Sequence, residues 1–326
     1  INRQGVPLDT LQLLSAWTWS EDFQLQEQFA DLAEELLPYG FGEVGIDTNL
    51  LLRCSSAVLV GDATPEALVT LKGSEVRASF EKVFNGVKYA VDFLKKNFYI
   101  ANLSNLPYST MLVPLCVFFA TEGNKEIGLS ADQTRQIKRW FWRCSISRRY
   151  SSGVIRNLKE DIEQFSKLRE GKKSDLGAFA VSIDETFFLE NTFGMGSVNT
   201  KTFILMLCQK SPLSLISGQP VDLDSTLKAS NRNEYHHLMP KAFLEATKQD
   251  AIDESALANF CFITRAENRK LGGIAPSKYQ KELHIPIDQV LARSMIPLNL
   301  FDDDYVKFVK ARSAMLAQYA GELCSQ

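Results

Sequence analysis

Histidine is scarce in this chain, with three residues in 326. Imidazole chemistry, whether proton transfer near neutral pH or metal ligation, is therefore confined to very few positions. Long apolar runs are missing too. The longest, residues 111–120, is about half of the ~20 residues needed to cross a bilayer. It also contains Pro114, so it reads as a buried helix, and no membrane partner is expected. There is no Cys-x-x-Cys pair: Cys54, Cys116, Cys144, Cys208, Cys261 and Cys324 are dispersed. That spacing argues against a zinc knuckle and a disulfide framework, and leaves buried free thiols in a reducing cytoplasm. No secretory leader, internal repeat or low-complexity tract is legible. The chain opens on Ile1 rather than Met, as a fragment or processed product with a missing N-terminus would.

An excess of positive charge is also lacking, since the net charge is −3. The charge is uneven, however. Residues 1–130 carry nine Lys/Arg against sixteen Asp/Glu, residues 131–180 twelve against six, and the remainder fifteen against seventeen. A local basic stripe matters more for phosphate binding than the total does.

What is present is an ordinary globular composition, 45% hydrophobic and 23% charged, long enough for two or more domains. Asp9 can cap a helix with Leu11, Leu14 and Trp17 on its apolar face. Thr64-Pro65 reads as a helix start. Ser74 opens a longer helix in which Val76, Phe80, Val83, Phe84, Val87, Val91 and Leu94 recur at helical spacing. Ser130-Ala131-Asp132-Gln133 is a capping box, and a second helix over about residues 152–169 follows it. Residues 170–175 read as an exposed loop, 202–209 as buried, and 211–224 as a connector. A final helix begins at Asp302-Asp303-Asp304 and carries Tyr305, Phe308, Val309, Arg312, Met315, Leu316 and Tyr319 on one face. The expected division is a helical region over 1–200 and a second domain over 201–326, with its core motif at 234–273.

Two of the three histidines are adjacent, in Tyr235-His236-His237-Leu238-Met239-Pro240. Neighbouring residues of a strand point to opposite sides, so one imidazole can face a metal and the other a reacting water. Residues 259–263 read as a second short strand. Thr264-Arg265-Ala266-Glu267 is a capping box that puts Asn268 on the first turns of a helix. The set fits phosphodiester hydrolysis. His237 is the expected general base, and His236 and Asn268 are the expected ligands of a divalent metal that acts as charge sink. Asn259 completes the catalytic set by bracing the loop between the strands. Arg265, Arg269, Lys270 and Lys278 are placed to contact phosphates. Both ligands are neutral, so metal affinity without substrate should be weak; Mg²⁺ is expected, with Mn²⁺ possible.

Blander readings fit several other features. His284 reads as a loop residue, the Asp302–Asp304 run as a helix start favoured by the macrodipole, and Trp140-Phe141-Trp142 as core. Arg148, Arg149 and Tyr150 read by default as a solvated face, with a phosphate contact or domain coupling as the other options.

The segments His236-His237-Leu238-Met239-Pro240-Lys241, Asn259-Phe260-Cys261-Phe262-Ile263-Thr264, Asn268-Arg269-Lys270 and Pro276-Ser277-Lys278-Tyr279 resemble the HNH domain of domain-of-unknown-function family 1524. Ile1-Asn2-Arg3-Gln4-Gly5-Val6-Pro7-Leu8 resembles the tail of the family 262 domain. Arg139-Trp140-Phe141-Trp142-Arg143 and Arg149-Tyr150-Ser151-Ser152 resemble the helices that join the two. The resemblance, to restriction systems of the GmrSD type, implies a bacterial modification-dependent endonuclease acting on phage DNA. In that family an N-terminal nucleotide-binding domain of ParB/sulfiredoxin-like fold carries an Asp-Gly-Gln-Gln-Arg motif. That motif is absent here, so the resemblance implies the nuclease half and the connecting helices only.

The expected fold is mainly α, with helical domains plus a small C-terminal ββα-metal (HNH) module and flanking helices. The expected function is a cytoplasmic, metal-dependent endonuclease that nicks or cuts DNA. Its expected partners are phage or modified DNA, the missing nucleotide-binding domain and, for double-strand cutting, a second copy of the chain. A catalytically silent nucleic-acid-binding or regulatory module on an HNH-like scaffold is the alternative, and RNA is the alternative substrate.

Overall fold

The computed structural model describes residues 10–62, 64, 67, 70, 72–123, 125, 127–229, 235–283 and 287–326. They form a mainly helical protein with one two-stranded antiparallel sheet among the described residues. The chain divides into two compact units. One comprises Ile1–Asn97, Ala101–Cys144 and Arg148–Phe179, and the other Phe98–Ile100, Ser145–Ser147 and Ala180–Gln326. The expected boundary at residue 200 lies inside a helix, Val198–Cys208. No described helix is long and apolar enough to cross a membrane.

The first unit is built from α1 (Thr10–Thr18), α2 (Leu25–Leu36), α3 (Gly42–Ile46), α4 (Thr48–Val60), α5 (Gly73–Phe98), α6 (Leu112–Phe119), α7 (Ala131–Ile146) and α8 (Val154–Arg169). In α2, Leu25, Phe29, Leu32 and Leu36 form one buried stripe at helical spacing. All eight residues of α6 are buried, as its apolar run requires. Around it, Trp140 meets Phe165 edge-on at 4.8 Å, and Phe118 meets the same ring at 6.2 Å. Trp140, Phe141 and Trp142 are wholly buried core residues. The capping box at the start of α7 is formed: Gln133 N donates to Ser130 Oγ at 3.1 Å, and Ser130 N to Gln133 Oε1 at 3.0 Å.

Other expectations for this region are corrected. Leu14 is buried, but Trp17 is 55% exposed, so α1 does not bury the whole predicted face. Arg149 is not solvated. Its Nε and Nη2 donate to Asp161 and Glu160 at 2.9 and 2.8 Å, and its guanidinium lies 4.0 Å from the Phe179 ring centre. Tyr150 donates to the same Asp161 oxygen at 2.5 Å. Much of the basic stripe of 131–180 is likewise engaged internally. Arg139 donates to Leu176 O, Arg143 to Gly177 O, and Arg169 to Val117 O. Asp9, residues 1–8, Pro65 and His284 lie outside the described residues.

The second unit contains α9 (Thr186–Glu190), α10 (Val198–Cys208), α11 (Leu223–Ala229), β1 (Tyr235–His237), α12 (Lys241–Thr247), β2 (Phe260–Phe262), α13 (Arg265–Leu271), α14 (Pro276–Tyr279), α15 (Ile287–Arg293) and α16 (Tyr305–Ser325). β1 and β2 pair in the register Tyr235↔Phe262, His236↔Cys261 and His237↔Phe260. The capping box of Thr264 and Glu267 opens α13 as expected. Gly272, at φ +55, ends that helix, and a Cβ at Gly273 would sit 2.9 Å from the Ala242 methyl of α12. Only glycine permits so close an approach after that turn.

Asp304 caps α16 by accepting from Lys307 N at 3.1 Å. Asp303 accepts from the backbone N and the hydroxyl of Ser277 at 2.9 and 2.5 Å. These two aspartates have the structural roles that a helix start favours. The centre of the unit holds an ion. Arg312 of α16 is fully buried and donates Nε to Met295 O (2.9 Å), Nη1 to Ala258 O and Phe260 O (2.7 Å each) and Nη2 to Ser294 O (3.2 Å).

Candidate functional site

Paired residues of an antiparallel ribbon share a face, as do residues two apart on one strand. The register therefore puts Tyr235, His237, Phe260 and Phe262 on one face of the β1–β2 ribbon, and His236 with Cys261 on the other. The first face is aromatic. The His237 ring lies 4.4 Å from Phe260, Tyr235 lies 5.2 Å from Phe262, and Phe193 stacks on Phe260 at 4.2 Å and 14°. His237 is thus held against a ring wall and remains half-buried. His236, also half-buried, looks the other way.

The loop between the strands is tied at its base. Leu238 N donates to Asn259 O at 2.7 Å, and Tyr279 Oη to Leu238 O at 2.9 Å. Asn259 is fully buried. Its Oδ1 accepts from Met239 N at 2.9 Å, and its Nδ2 donates to Met239 O and Glu254 O at 3.1 and 2.9 Å. All these bonds go to backbone across 20 and 5 residues of sequence. Asn259 is therefore a positioning residue that fixes where the two histidines emerge.

On the Cys261 face, burial pushes the thiol up to about 12, with Arg312 opposing and Glu267 adding to the shift. The thiol opposite His236 thus lies within electrostatic reach of α13 and of the buried arginine. Asn268 is half-buried and follows Glu267 directly; its backbone N donates to Thr264 O at 2.9 Å in the first turn of α13. Arg269 and Lys270 are exposed in the last turn of that helix, and Lys278 is exposed on α14. The Arg265 side chain lies outside the described residues.

Sequence reasoning missed three features here. Glu254, half-buried, forms an ion pair with Lys241 at 2.6 Å. That bond holds its carboxyl below the usual range, and the charge of His237 contributes a smaller part. The only signal was Lys241 closing the His-His-Leu-Met-Pro-Lys segment. Glu267 does more than cap: it is 8% exposed, and besides Thr264 it accepts from Ser217 N at 3.2 Å and from the Ser214 hydroxyl. Burial alone would raise its pKa, but the bonds from Ser214, Thr264 and Ser217 outweigh burial and lower it. Arg312 was assigned only to a helix face, whereas its Nη1 reaches the carbonyls on either side of Asn259.

No group of three or more His, Cys, Asp or Glu residues suited to a metal occurs among the described residues. The donor set offered by His236 and Asn268 is one imidazole nitrogen and one amide oxygen. Such a neutral pair fits an ion held weakly and completed by water and a phosphate, not a closed structural site.

No protein-family model matches the chain. It is 22% identical over 311 residues to the uncharacterized protein MJ0686 of Methanocaldococcus jannaschii. The match takes in 87% of this chain and 48% of that protein, so the chain spans about half the length of this relative.

Proposed function

We propose that residues 201–326 carry a metal-dependent phosphodiester hydrolase of the HNH (ββα-metal) kind acting on DNA. The reading rests chiefly on one observation. Two adjacent histidines lie on opposite faces of a ribbon whose loop is locked by a buried asparagine, and a capped helix bearing a second asparagine follows directly. Opposite faces allow one imidazole to hold a ligand and the other to move a proton.

In this reading His237 accepts the proton of the attacking water. The Phe260 wall restricts its ring, and the Glu254 carboxylate nearby favours the imidazolium that results. His236 and Asn268 would hold the Mg²⁺ or Mn²⁺ ion, which supplies positive charge to the phosphate and the departing oxygen when bound. Arg269, Lys270 and Lys278 contact flanking phosphates without reading sequence. The resemblance in sequence extends the proposal to the effector part of a bacterial defence against modified phage DNA.

Conversion of supercoiled plasmid to open-circular or linear form, with Mg²⁺, Mn²⁺ or EDTA, tests the reading. Cleavage should require metal, and His237→Ala should lower the rate about 10²–10⁴-fold while DNA binding is retained. Undiminished cleavage by His237→Ala would remove the general base. Metal-independent DNA binding without cleavage in any metal would favour a silent binding module.

A further inference from the structure

Capping α13 does not by itself call for the charge of Glu267. A capping box is served by Glu or Gln alike, and Glu267 is 8% exposed. It forms no ion pair with a described residue. Burying a carboxylate is unfavourable unless hydrogen bonds replace its water. The groups that face its two oxygens show why a carboxylate stands there.

Oε2 accepts from the backbone N and the hydroxyl of Thr264 at 3.2 and 3.0 Å. Oε1 accepts from Ser217 N at 3.2 Å and from the Ser214 hydroxyl. That hydroxyl itself accepts from Ile216 N and Ser217 N at 3.3 and 3.4 Å, so its hydrogen is left for Glu267. Backbone N–H groups donate only, and one of them faces each oxygen. An amide NH₂ in either place would be set against a donor. The cap tolerates glutamine, but the full set of partners does not.

The two oxygens bind different segments. Thr264 joins β2 to α13, whereas Ser214 and Ser217 belong to the connector. The connector is folded on itself: Ser214 N donates to Gln219 O at 2.8 Å, Gly218 N to Ser214 O at 3.0 Å and Val221 N to Pro212 O at 3.1 Å. Its far side is held as well. Ser294 Oγ donates to Leu213 O at 3.3 Å, and Ser294 O accepts from Arg312, whose Nη1 reaches the carbonyls on either side of Asn259. A closed circuit of hydrogen bonds thus runs from the head of α13 through the connector and α16 back to the ribbon. His236 lies on that ribbon, and Asn268 follows Glu267 in the first turn of α13. We infer that Glu267 is a positioning residue of the candidate site: its carboxylate clamps the head of α13 to the connector and so sets Asn268 relative to His236. The inference rests on the hydrolase reading for the ion that His236 and Asn268 would hold.

Titration of the full chain with Mn²⁺ alone, followed by the broadening of the Asn268 side-chain amide and His236 ring signals in NMR, tests the clamp without DNA or turnover. Glu267→Gln keeps the shape of the side chain but sets its NH₂ against Ser217 N or Thr264 N. It should raise the Mn²⁺ midpoint about 10–100-fold, as the loss of a group that orients a metal ligand does. Leu205→Ala, in the buried α10 of the same unit, should lower stability and leave the midpoint unchanged. If Glu267→Gln fails to fold, Ser214→Ala removes a single donor and should shift the midpoint the same way by less. Backbone amide exchange supplies a metal-free measure. The Asn268 amide should exchange faster relative to those of α10 in Glu267→Gln, and not in Leu205→Ala. An unchanged midpoint in folded Glu267→Gln, or an equal rise in Leu205→Ala, would leave Glu267 a merely structural residue and overturn the clamp. No broadening at Asn268 in the unsubstituted chain would sink the metal reading instead. Faster Asn268 exchange in Glu267→Gln would then still uphold the clamp, and unchanged exchange would overturn it.

Discussion

Arg312 shows how much one residue can determine. Burial pulls its pKa down to about 10, which still leaves it charged at neutral pH. Four backbone carbonyls from two segments, with no carboxylate among them, satisfy its guanidinium. Arg312→Met should therefore cost about 3–5 kcal/mol in urea unfolding, because it strands those acceptors in a dry interior. Glu267 provides a pH test. Its folded pKa lies below the ordinary 4.5, so the folded state binds its proton less readily than the unfolded chain does. The stability it contributes is complete above about pH 4.5 and is lost as pH falls through the lowered folded value. Urea unfolding across pH 3 to 6 should show Glu267→Gln less stable at pH 6, with a flatter loss of stability on acidification. The paired histidines, Asn259, Asn268 and the Thr264–Glu267 box were legible because their signals are local in sequence. The helix face that Arg312 occupies was legible but its role was not, because its partners lie 17 to 54 residues away. The Ser214 hydroxyl was equally silent, because a serine in the connector of residues 211–224 reads as solvated loop.

At the scale of elements, long helices could be read and short ones could not. α5, α7 and α8 declare themselves by apolar periodicity and, for α7, by a capping box. α9, α12, α14 and α15 have four to seven residues each, too few turns for a period to emerge. β1 and β2, with three residues each, were legible only through the chemistry they carry. The link between β2 and α13 is the Thr264 cap. Thr264→Ala should lower stability by about 0.5–2 kcal/mol, seen as a reduced melting temperature. It should also weaken metal-dependent cleavage more than DNA binding, since Asn268 sits on the turn that the cap starts. Cleavage unchanged in the face of a lowered melting temperature would disconnect the α13 cap from the site.

For the molecule as a whole, the uneven charge matters more than the net value of −3. The arginines at 139, 143, 149 and 169 hold the first unit together, so DNA affinity should depend on exposed cations of the second. Charge removal at Arg269, Lys270 and Lys278 together should reduce the slope of log affinity against log salt by up to about 0.9 per lost phosphate contact. A slope unchanged by all three substitutions would place the DNA elsewhere. The exposed loop at 170–175 carries Lys172 and Lys173 and has no helix or strand. Trypsin should cut there first, giving two large fragments by mass spectrometry. A further consequence follows from the buried guanidinium. Because it grips the carbonyls beside Asn259 from α16, neither β2 nor the C-terminal helix can unravel without releasing the other. Amide protons in the middle of α16 and in β2 should therefore exchange with solvent through one shared opening of equal free energy, so that the last helix of the chain acts as the clasp of its smallest sheet.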